Sequence, residues 1–136
     1  MKSYFDQISI STSGKIELKN ITNDIRLVLE KSKISNGILL VYSPHTTTAV
    51  IINENESRLV KDIESSVKSL IPWDKNYAHN SIDNNAASHI VSAFAGNSAS
   101  LIIENSKLEL GVWQSVFFLE MDGPRNRQVK IKIIGE

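Results

Sequence analysis

Cysteine is absent from this 136-residue chain, which excludes disulfides and thiolate metal sites. Any metal ligand would have to be a histidine or a carboxylate. Proline (3 residues), glycine (6) and aromatic side chains (7%) are sparse, and no apolar run approaches the length of a transmembrane helix. Residues 1–6 contain no apolar core of signal-peptide length. The sequence therefore predicts a cytoplasmic protein without a membrane partner.

An excess of charge of either sign is also missing, because fifteen basic residues balance fifteen acidic ones. Without a net positive field or a basic stripe, no nucleic-acid partner is expected, although a small local anion site is compatible with this balance. With 41% hydrophobic and 22% charged residues, the composition is that of an ordinary globular protein. The length predicts a single domain, residues 1–136, that can bury a core without the help of disulfides or structural metal ions.

The order of the predicted elements indicates the fold class. Apolar residues at helical spacing predict three helices, and extended or alternating apolar runs predict strands. The helices fall near residues 21–29, 57–71 and 84–95, and the strands near 5–12, 15–18, 38–42, 46–52, 98–103, 108–121 and 128–134. Since only strands fill the last third of the chain, we predict an α+β fold with a mostly antiparallel sheet and the helices on one side.

The β-branched strand 46–52 has polar residues at both ends. His45, Thr46 and Thr47 stand at its start, and Glu54 follows its end. Polar ends on a buried strand suggest a site at both ends, with simple solvation as the alternative. Glu54 is the best acid–base candidate, because partial burial would raise its pKa. A regular strand would nevertheless point His45 and Glu54 to opposite faces, unless a bulge or turn intervenes.

Three histidines are the other candidates for chemistry. His45 opens the strand, His79 lies in a predicted loop, and His89 lies on the third helix. The helical face that carries His89 is otherwise apolar, so we expect this ring to point inward; the residues that share the face are Ala86, Ile90, Ala93 and Phe94. A buried histidine needs hydrogen-bond partners or a metal. Three converging imidazoles would suit an open Zn²⁺ site, although the spacing of His79 and His89 is not that of a zinc motif.

Two further segments carry residues suited to binding. Trp113 and Gln114 follow a glycine, where Trp113 is either a core residue or a stacking platform for a flat ring. Arg125 and Arg127 lie in a turn between strands, where they either grip phosphate or are merely solvated. A glycine-rich phosphate loop, a nucleotide fingerprint and a Ser-His-Asp order are all missing.

Taken together, these motifs resemble the YjbQ-like family, also called the secondary thiamine-phosphate synthase enzyme family. The resemblance covers about residues 8–135 and depends on the order and spacing of seven segments: His45-Thr46-Thr47-Thr48-Ala49, Asn53-Glu54, His79, Ser88-His89-Ile90, Gly96-Asn97-Ser98, Leu110-Gly111-Val112-Trp113-Gln114 and Asp122-Gly123-Pro124-Arg125-Asn126-Arg127. The sequence departs from the family at Val112, where threonine is usual, and at Asn105-Ser106, where a glycine is common.

The resemblance implies an antiparallel sheet curled into a half-barrel or sandwich with about three helices, and a homotrimer. It also implies a low-activity transferase that joins a pyrimidine-methyl diphosphate to a thiazole phosphate and releases pyrophosphate. The family's polar cluster carries over onto His45, Glu54, His79, His89 and Gln114, with Arg125 or Arg127 beside it.

Two functional hypotheses follow. In the first, the protein is a thiamine-phosphate synthase-like transferase for phosphorylated heterocycles, in which Glu54 moves a proton and Trp113 stacks on a ring. A divalent metal, Zn²⁺ or Mg²⁺, would be held by the three histidines, and the polar groups that bind substrate are Thr46, Thr47, Gln114, Arg125 and Arg127. In the second, the same residues bind a small phosphorylated metabolite without turnover.

The run Phe117, Phe118 and Leu119 bears on assembly. Consecutive apolar residues in a strand predict that both faces of the sheet are buried there. Two helix layers of the same chain or a neighbouring subunit could supply this cover; we expect the neighbouring subunit of a homotrimer to cover one face, and to bring Arg125 or Arg127 of one chain near the histidines of another.

Overall fold

The computed structural model describes all 136 residues as two antiparallel sheets with three α-helices. The strands are β1 (Lys2–Ser11), β2 (Glu17–Asn20), β3 (Gly37–Tyr42), β4 (Thr48–Glu54), β5 (Ser98–Glu104), β6 (Lys107–Leu108), β7 (Gln114–Glu120) and β8 (Asn126–Gly135). The helices are α1 (Thr22–Ser32), α2 (Ser57–Leu70) and α3 (Ala86–Ala95), and a 3₁₀ turn spans Ala78–Ser81.

The larger sheet has the strand order β1-β8-β3-β5-β6 and the smaller one β2-β7-β4. Strand β8 pairs with β1 on one side and with β3 on the other, and its apolar residues alternate with polar ones: Val129, Ile131 and Ile133 are fully buried, whereas Lys132 is exposed. The two sheets curl around a shared core as a half-barrel. The predicted α+β fold with an antiparallel half-barrel and three helices is therefore confirmed.

The core consists of two clusters. The larger one lies between the sheets and beneath α1, whose predicted stripe of Ile21, Ile25, Val28 and Leu29 is buried as expected. The smaller cluster lies between β7 and the helices α2 and α3. The small sheet is thus covered on both faces within one chain.

Strand β7 shows the consequence of this double cover. Val116 and Phe118 point into the larger cluster, while Phe117 and Leu119 point into the smaller one beneath the helices. The run is buried on both faces, as predicted, but the expectation that a neighbouring subunit covers one face is wrong, because α2 and α3 of the same chain do so. The homotrimer itself stays a prediction.

Helix α3 sits on the sheet with a different face from the one predicted. Its buried residues include the small Ala87, Ser88 and Ser92, which let the helix approach the sheet closely. The Ser88 hydroxyl donates to the carbonyl oxygen of Met121, directly after β7, at 2.8 Å, and the Ser92 hydroxyl donates to that of Thr48 in β4 at 2.6 Å. As a result His89 is half-buried at the side of the helix, and Phe94 is 84% exposed.

Helix α2 has a side-chain cap at its start and an exposed apolar residue at its end. Glu56 precedes the helix and caps it by accepting from the Arg58 N–H at 2.6 Å. Leu70, the last residue of α2, is 69% exposed. No helix of the chain is long and apolar enough to cross a membrane.

Two surfaces of the larger sheet are relevant below. Its outer face exposes Ile38, Ile102 and Ile134 alongside Lys130 and Lys132. The other surface is the free edge of β1, a strand of ten residues with a neighbour on one side only. On the inner face of β1, Asp6 lies 3.8 Å from the Lys31 ammonium group of α1.

Candidate functional site

An open cleft of about 430 Å³ lies at the end of the sandwich where β4 and β8 begin. Four segments form it: the loop before β4, the 3₁₀ turn, the start of α3 and the turn between β7 and β8. Its lining residues are Pro44, His45, Thr46, Thr47, His79, Ile82, Asp83, Asn85, His89, Asp122, Arg125 and Arg127. A smaller depression of about 350 Å³ continues along α3 from His45 and His89 to Gly96.

A buried ion pair forms the floor of the cleft. Glu120, at the end of β7, is fully buried, and Arg127, in β8, is 6% exposed. The Arg127 Nη2 donates to Glu120 Oε2 at 2.6 Å, and its Nε donates to Oε1 at 2.9 Å. Because the two residues belong to different sheets, this bidentate pair joins the sheets at their functional end.

Two threonine hydroxyls complete the network around the pair. Thr12 Oγ1 donates to Glu120 Oε1 at 2.8 Å, and Thr47 Oγ1 accepts from Arg127 Nη2 at 2.9 Å. The other carboxylate oxygen of Glu120 accepts from two backbone N–H groups, those of Met121 and Asp122, at 3.1 Å each. Every buried side-chain nitrogen and oxygen of the chain has a partner. The floor is therefore a rigid, fully hydrogen-bonded layer.

The charge state of Glu120 follows from these contacts. Burial by itself raises the pKa of this carboxyl, but hydrogen bonds from Arg127, from the Asp122 N–H and from Thr12 outweigh burial and hold the pKa below its ordinary value of 4.5. Glu120 is thus a carboxylate at neutral pH, and its role is to hold Arg127.

His45 stands beside this layer with an unprotonated ring. Burial first, and then the positive charge of Arg127, lower the pKa of His45 below its ordinary value of 6.5. Its Nε2 lies 3.1 Å from both the N–H and the carbonyl oxygen of Gln128, so it either accepts from the first or donates to the second. At neutral pH the ring is a neutral imidazole whose Nδ1 makes no hydrogen bond within the chain.

A chain of hydrogen bonds orders the opposite rim. His79 Nε2 donates to Asn85 Oδ1 at 3.0 Å, and Asn85 Nδ2 donates to Asp122 Oδ2 at 2.9 Å. Arg125 Nη2 donates to the same Asp122 oxygen at 2.8 Å. The ring of His89 packs edge-on against His79, with 4.8 Å between the ring centroids. The rim thus fixes His79 and Arg125, whereas the ring nitrogens of His89 make no hydrogen bond within the chain.

The cleft brings together most of the residues that the sequence singled out. Seven of them line it: His45, Thr46, Thr47, His79, His89, Arg125 and Arg127. The histidines therefore share a cleft with both arginines of their own chain. Arg127, however, is paired with Glu120 and is neither solvated nor free to bind phosphate.

Three predicted residues lie elsewhere in the chain. Thr48 pairs with Glu120 at the cleft end of β4 and β7, whereas Glu54 pairs with Gln114 at the other end. The two ends of β4 are six residue steps apart, which is about 20 Å. Trp113, next to Gln114, is 72% exposed there and is not a core residue. Within one chain, Glu54, Trp113 and Gln114 do not reach the cleft.

The histidines do not form a ligand set for a metal as they are arranged. No three histidine or carboxylate side chains of the chain are grouped closely enough to hold an ion. The predicted site for Zn²⁺ or Mg²⁺ on His45, His79 and His89 stays a prediction: the Nε2 atoms of His45 and His79 lie in hydrogen bonds with the Gln128 backbone and with Asn85, and their Nδ1 atoms make none within the chain.

Sequence reasoning missed four residues that build the cleft: Thr12, Asn85, Glu120 and Asp122. The signal for Glu120 was available. A carboxylate inside the apolar run 116–121 needs a cationic partner, and Arg127 follows seven residues later across a turn. The signals for Thr12 and Asn85 were not, since both act through long-range contacts.

Comparisons with known proteins agree with this fold and this set of motifs. A family model described as "UPF0047 protein YjbQ-like" matches residues 6–136. A UPF0047 protein of Methanothermobacter thermautotrophicus is 47% identical over all of this chain and 95% of its own length. The UPF0047 protein YugU of Bacillus subtilis is 36% identical over 94% of this chain and 97% of its own.

Two crystal structures extend the similarity to three dimensions. A YbjQ-like protein of unknown function from Sulfolobus solfataricus has a TM-score of 0.97, with 39% identity and 99% coverage of both chains. An uncharacterised YjbQ/UPF0047 protein from Clostridium acetobutylicum has a TM-score of 0.90, with 38% identity over 95% of this chain and 99% of that one. The chain therefore belongs to the YjbQ-like UPF0047 family.

Proposed function

We propose that the cleft binds a phosphorylated heterocycle and acts as a thiamine-phosphate synthase-like transferase. The observation that carries the proposal is the group of unused polar atoms around the cleft. His45 Nδ1, the His89 ring and the Thr46 hydroxyl make no hydrogen bond within the chain, and all three residues line the cleft. Such groups are available to a ligand, and each can donate a hydrogen bond to an anion in one of its tautomers or rotamers.

Arg125 supplies the positive charge. Its Nε and Nη2 are held by the backbone and side chain of Asp122 at 2.8 Å each, and the side chain is 49% exposed. Its Nη1 makes no hydrogen bond within the chain. A guanidinium fixed on one side and open on the other is suited to binding a phosphate oxygen.

In the transfer step these residues need only to stabilise the leaving group. The ring nitrogen of the thiazole phosphate attacks the methylene carbon of the pyrimidine-methyl diphosphate; the new C–N bond forms as the C–O bond breaks, and pyrophosphate leaves with the bonding electron pair. No proton has to be removed from the nucleophile. Arg125, the Thr46 hydroxyl and the Nδ1-protonated form of His45 would stabilise the charge that develops on the leaving group.

A second candidate, non-catalytic binding of a small phosphorylated metabolite, is favoured by one specific observation. Glu54 and Trp113, the acid–base and stacking candidates, lie about 20 Å from the cleft of their own chain. In both cases the ligand is charged and does not cross membranes unaided, so a cytoplasmic location is part of the proposal.

Calorimetric titration with pyrophosphate tests binding. We expect Arg125→Gln to bind at least tenfold more weakly than the wild type, because one charge-assisted hydrogen bond contributes about 1.5–3 kcal/mol. Arg58→Gln is the matched control, since Arg58 is exposed at the start of α2, away from the cleft. If the wild type does not bind pyrophosphate, both candidate functions are rejected.

Turnover separates the two candidates. Wild-type protein given both phosphorylated precursors should form thiamine phosphate, and His89→Gln should reduce the rate while retaining the fold. Binding that depends on Arg125 without any product would reject the transferase and support the binding protein.

A further inference from the structure

A second cavity, of about 620 Å³, opens between α1 and the hairpin that joins β5 to β6; it is called the hairpin cavity below. Its lining residues are Arg26, Leu29, Glu30, Lys33, Ile34, Ser106, Lys107 and Leu108. None of them lines the cleft. Strand β5 begins directly after Asn97, in the depression beside the cleft, and ends six residue steps later at the hairpin, about 20 Å away. The hairpin cavity is therefore a separate place on the molecule.

Positive charge is concentrated around the hairpin cavity, in a chain with no net charge. Arg26, Lys33 and Lys107 line it, and Glu30 is the only carboxylate in the lining. None of these four side chains belongs to an ion pair of the chain. The negative end of the helix dipole accounts for Lys33, directly after α1, but not for Arg26 in the middle of the helix or for Lys107 in β6. The cavity thus has an excess of positive charge that the chain does not pair.

Two of the lining residues keep their side chains on left-handed backbone. The non-glycine residues of the chain with positive φ are Lys33 (59°), Asn105 (51°) and Ser106 (62°). Glycine adopts such angles without strain, and asparagine tolerates them better than lysine or serine. The backbone N–H of Ser106 donates to the Ser35 carbonyl oxygen at 2.8 Å, whereas the Ser106 hydroxyl makes no hydrogen bond within the chain. Because strained backbone is concentrated where a side chain is needed for binding, this placement indicates a use for Lys33 and Ser106 in the cavity.

We propose that the hairpin cavity binds a small amphipathic anion, in which a phosphate or carboxylate group is joined to an apolar body. The cations and the free Ser106 hydroxyl bind the anionic group. Arg26 is held by Asn23 through Nη1 at 3.1 Å and keeps its other guanidinium nitrogens free for this contact. The apolar body contacts the aliphatic part of the lining, which consists of Leu29, Ile34 and Leu108. The volume lies within the range of about 300–1,000 Å³ that is typical of small-molecule sites.

The concave shape favours a small molecule over an extended partner. Nucleic acids and membranes are bound by cations that follow a stripe or a flat face, whereas here cations from a helix and a hairpin surround one cavity. The outer face of the larger sheet also combines cations, Lys130 and Lys132, with exposed apolar residues. It is a weaker candidate, because an open sheet surface covers only one side of a small ligand, and small-molecule sites bury most of it.

NMR titration with 1-naphthyl phosphate tests the site, because this probe joins a phosphate to a flat apolar body. The amide resonances of Lys33, Ile34 and residues 106–108 should shift and saturate. Inorganic phosphate and 1-naphthol should each bind there about tenfold more weakly, since each supplies only one kind of contact. Shifts confined to the cleft around His89, or to the apolar groove around Leu70 at the end of α2, would overturn the proposal.

Removing a cation and removing the carboxylate should have opposite effects on the affinity for the probe. Lys33→Asn, which keeps a residue that tolerates the left-handed backbone, and Lys107→Gln should each weaken binding about threefold. Glu30→Gln should tighten it by about the same factor. Lys61→Gln, exposed on α2, is the matched control and should leave the affinity unchanged. Equal affinities in the wild type, Lys33→Asn and Glu30→Gln would overturn the proposal.

Ser106→Gly separates a binding role from a structural one. Relief of the left-handed strain should raise the melting temperature, while loss of the hydroxyl should weaken probe binding about threefold. A variant that gains stability and binds the probe like the wild type would contradict the argument from strain. Arg125→Gln should leave binding at the hairpin cavity unchanged, so a failure of anion binding in the cleft and a failure of this site are told apart.

Discussion

Glu120→Gln is the most informative single change, because it removes one charge from the floor of the cleft while keeping the shape of the side chain. The two Glu120 oxygens accept five hydrogen bonds, from Thr12, twice from Arg127, and from the backbone N–H groups of Met121 and Asp122. A glutamine offers one oxygen and one NH₂ group, so two or three of these donors would face another donor.

The magnitude follows from what is left behind. Arg127 would remain 6% exposed with no counter-charge. Breaking a buried ion pair by removing one partner costs about 3–5 kcal/mol. Against a total stability of about 5–15 kcal/mol, this is a large fraction. We expect the urea midpoint to fall by about 1–3 M.

Urea unfolding followed by far-ultraviolet circular dichroism measures this loss. Glu104→Gln is the control: Glu104 is exposed at the end of β5 and has no ion-pair partner, so its change should stay within about 0.5 kcal/mol. The double variant Glu120→Leu with Arg127→Met should lose less than the sum of the two single variants, by about 2–3 kcal/mol. A loss below about 1 kcal/mol for Glu120→Gln, or strict additivity in the double variant, would refute this account of the floor.

Three further outcomes are expected. Burial and the Arg127 charge lower the pKa of His45 below 6.5, so on acidification the unfolded chain binds this proton before the folded one. This contribution to stability is present above pH 6.5 and is lost as the pH falls through the folded pKa. Urea titrations should therefore show that the free energy of unfolding falls more between pH 7.5 and pH 5.5 for the wild type than for His45→Gln. Equal falls in the two proteins would contradict the shift. Phe118→Ala should lower the free energy of unfolding by about 3–5 kcal/mol, whereas Leu70→Ala, at a 69% exposed position, should change it little in a monomer; similar thermal shifts would be evidence against the described core. Gly37→Ala should cost about 1–3 kcal/mol, since its Cβ would collide with the backbone of β8, and an unchanged melting temperature would argue against that close approach.

The sequence was sufficient for the elements and the fold class because these depend on local patterns. The stripe of α1 and the alternation of β8 each repeat one period over several residues, and both were buried as predicted. The face of α3 was wrong for a physical reason. Apolar periodicity favoured His89 and Phe94, but close packing favoured the smaller Ser88 and Ser92, whose hydroxyls find carbonyl partners on the sheet.

The candidate site was predictable in its residues more than in its arrangement. His45, His79 and His89 were singled out by type, and they do line one cleft. Which residues share the cleft depends on contacts between segments far apart in the chain, such as Thr12 with Glu120, and no local pattern encodes these. The distance between Glu54 and His45 could be predicted from the length of the strand between them, β4.

The free edge of β1 has a consequence for solubility. A ten-residue edge strand exposes unpaired backbone groups to which another chain could add as a strand, which is a common start of aggregation. Asp6 counters this, because a strand added at the edge would extend the inner face of the sheet over its carboxylate and desolvate a charge matched only by Lys31 at 3.8 Å. An inward-facing charge on this edge strand therefore opposes the addition of a further strand, at the cost of a less apolar rim to the core.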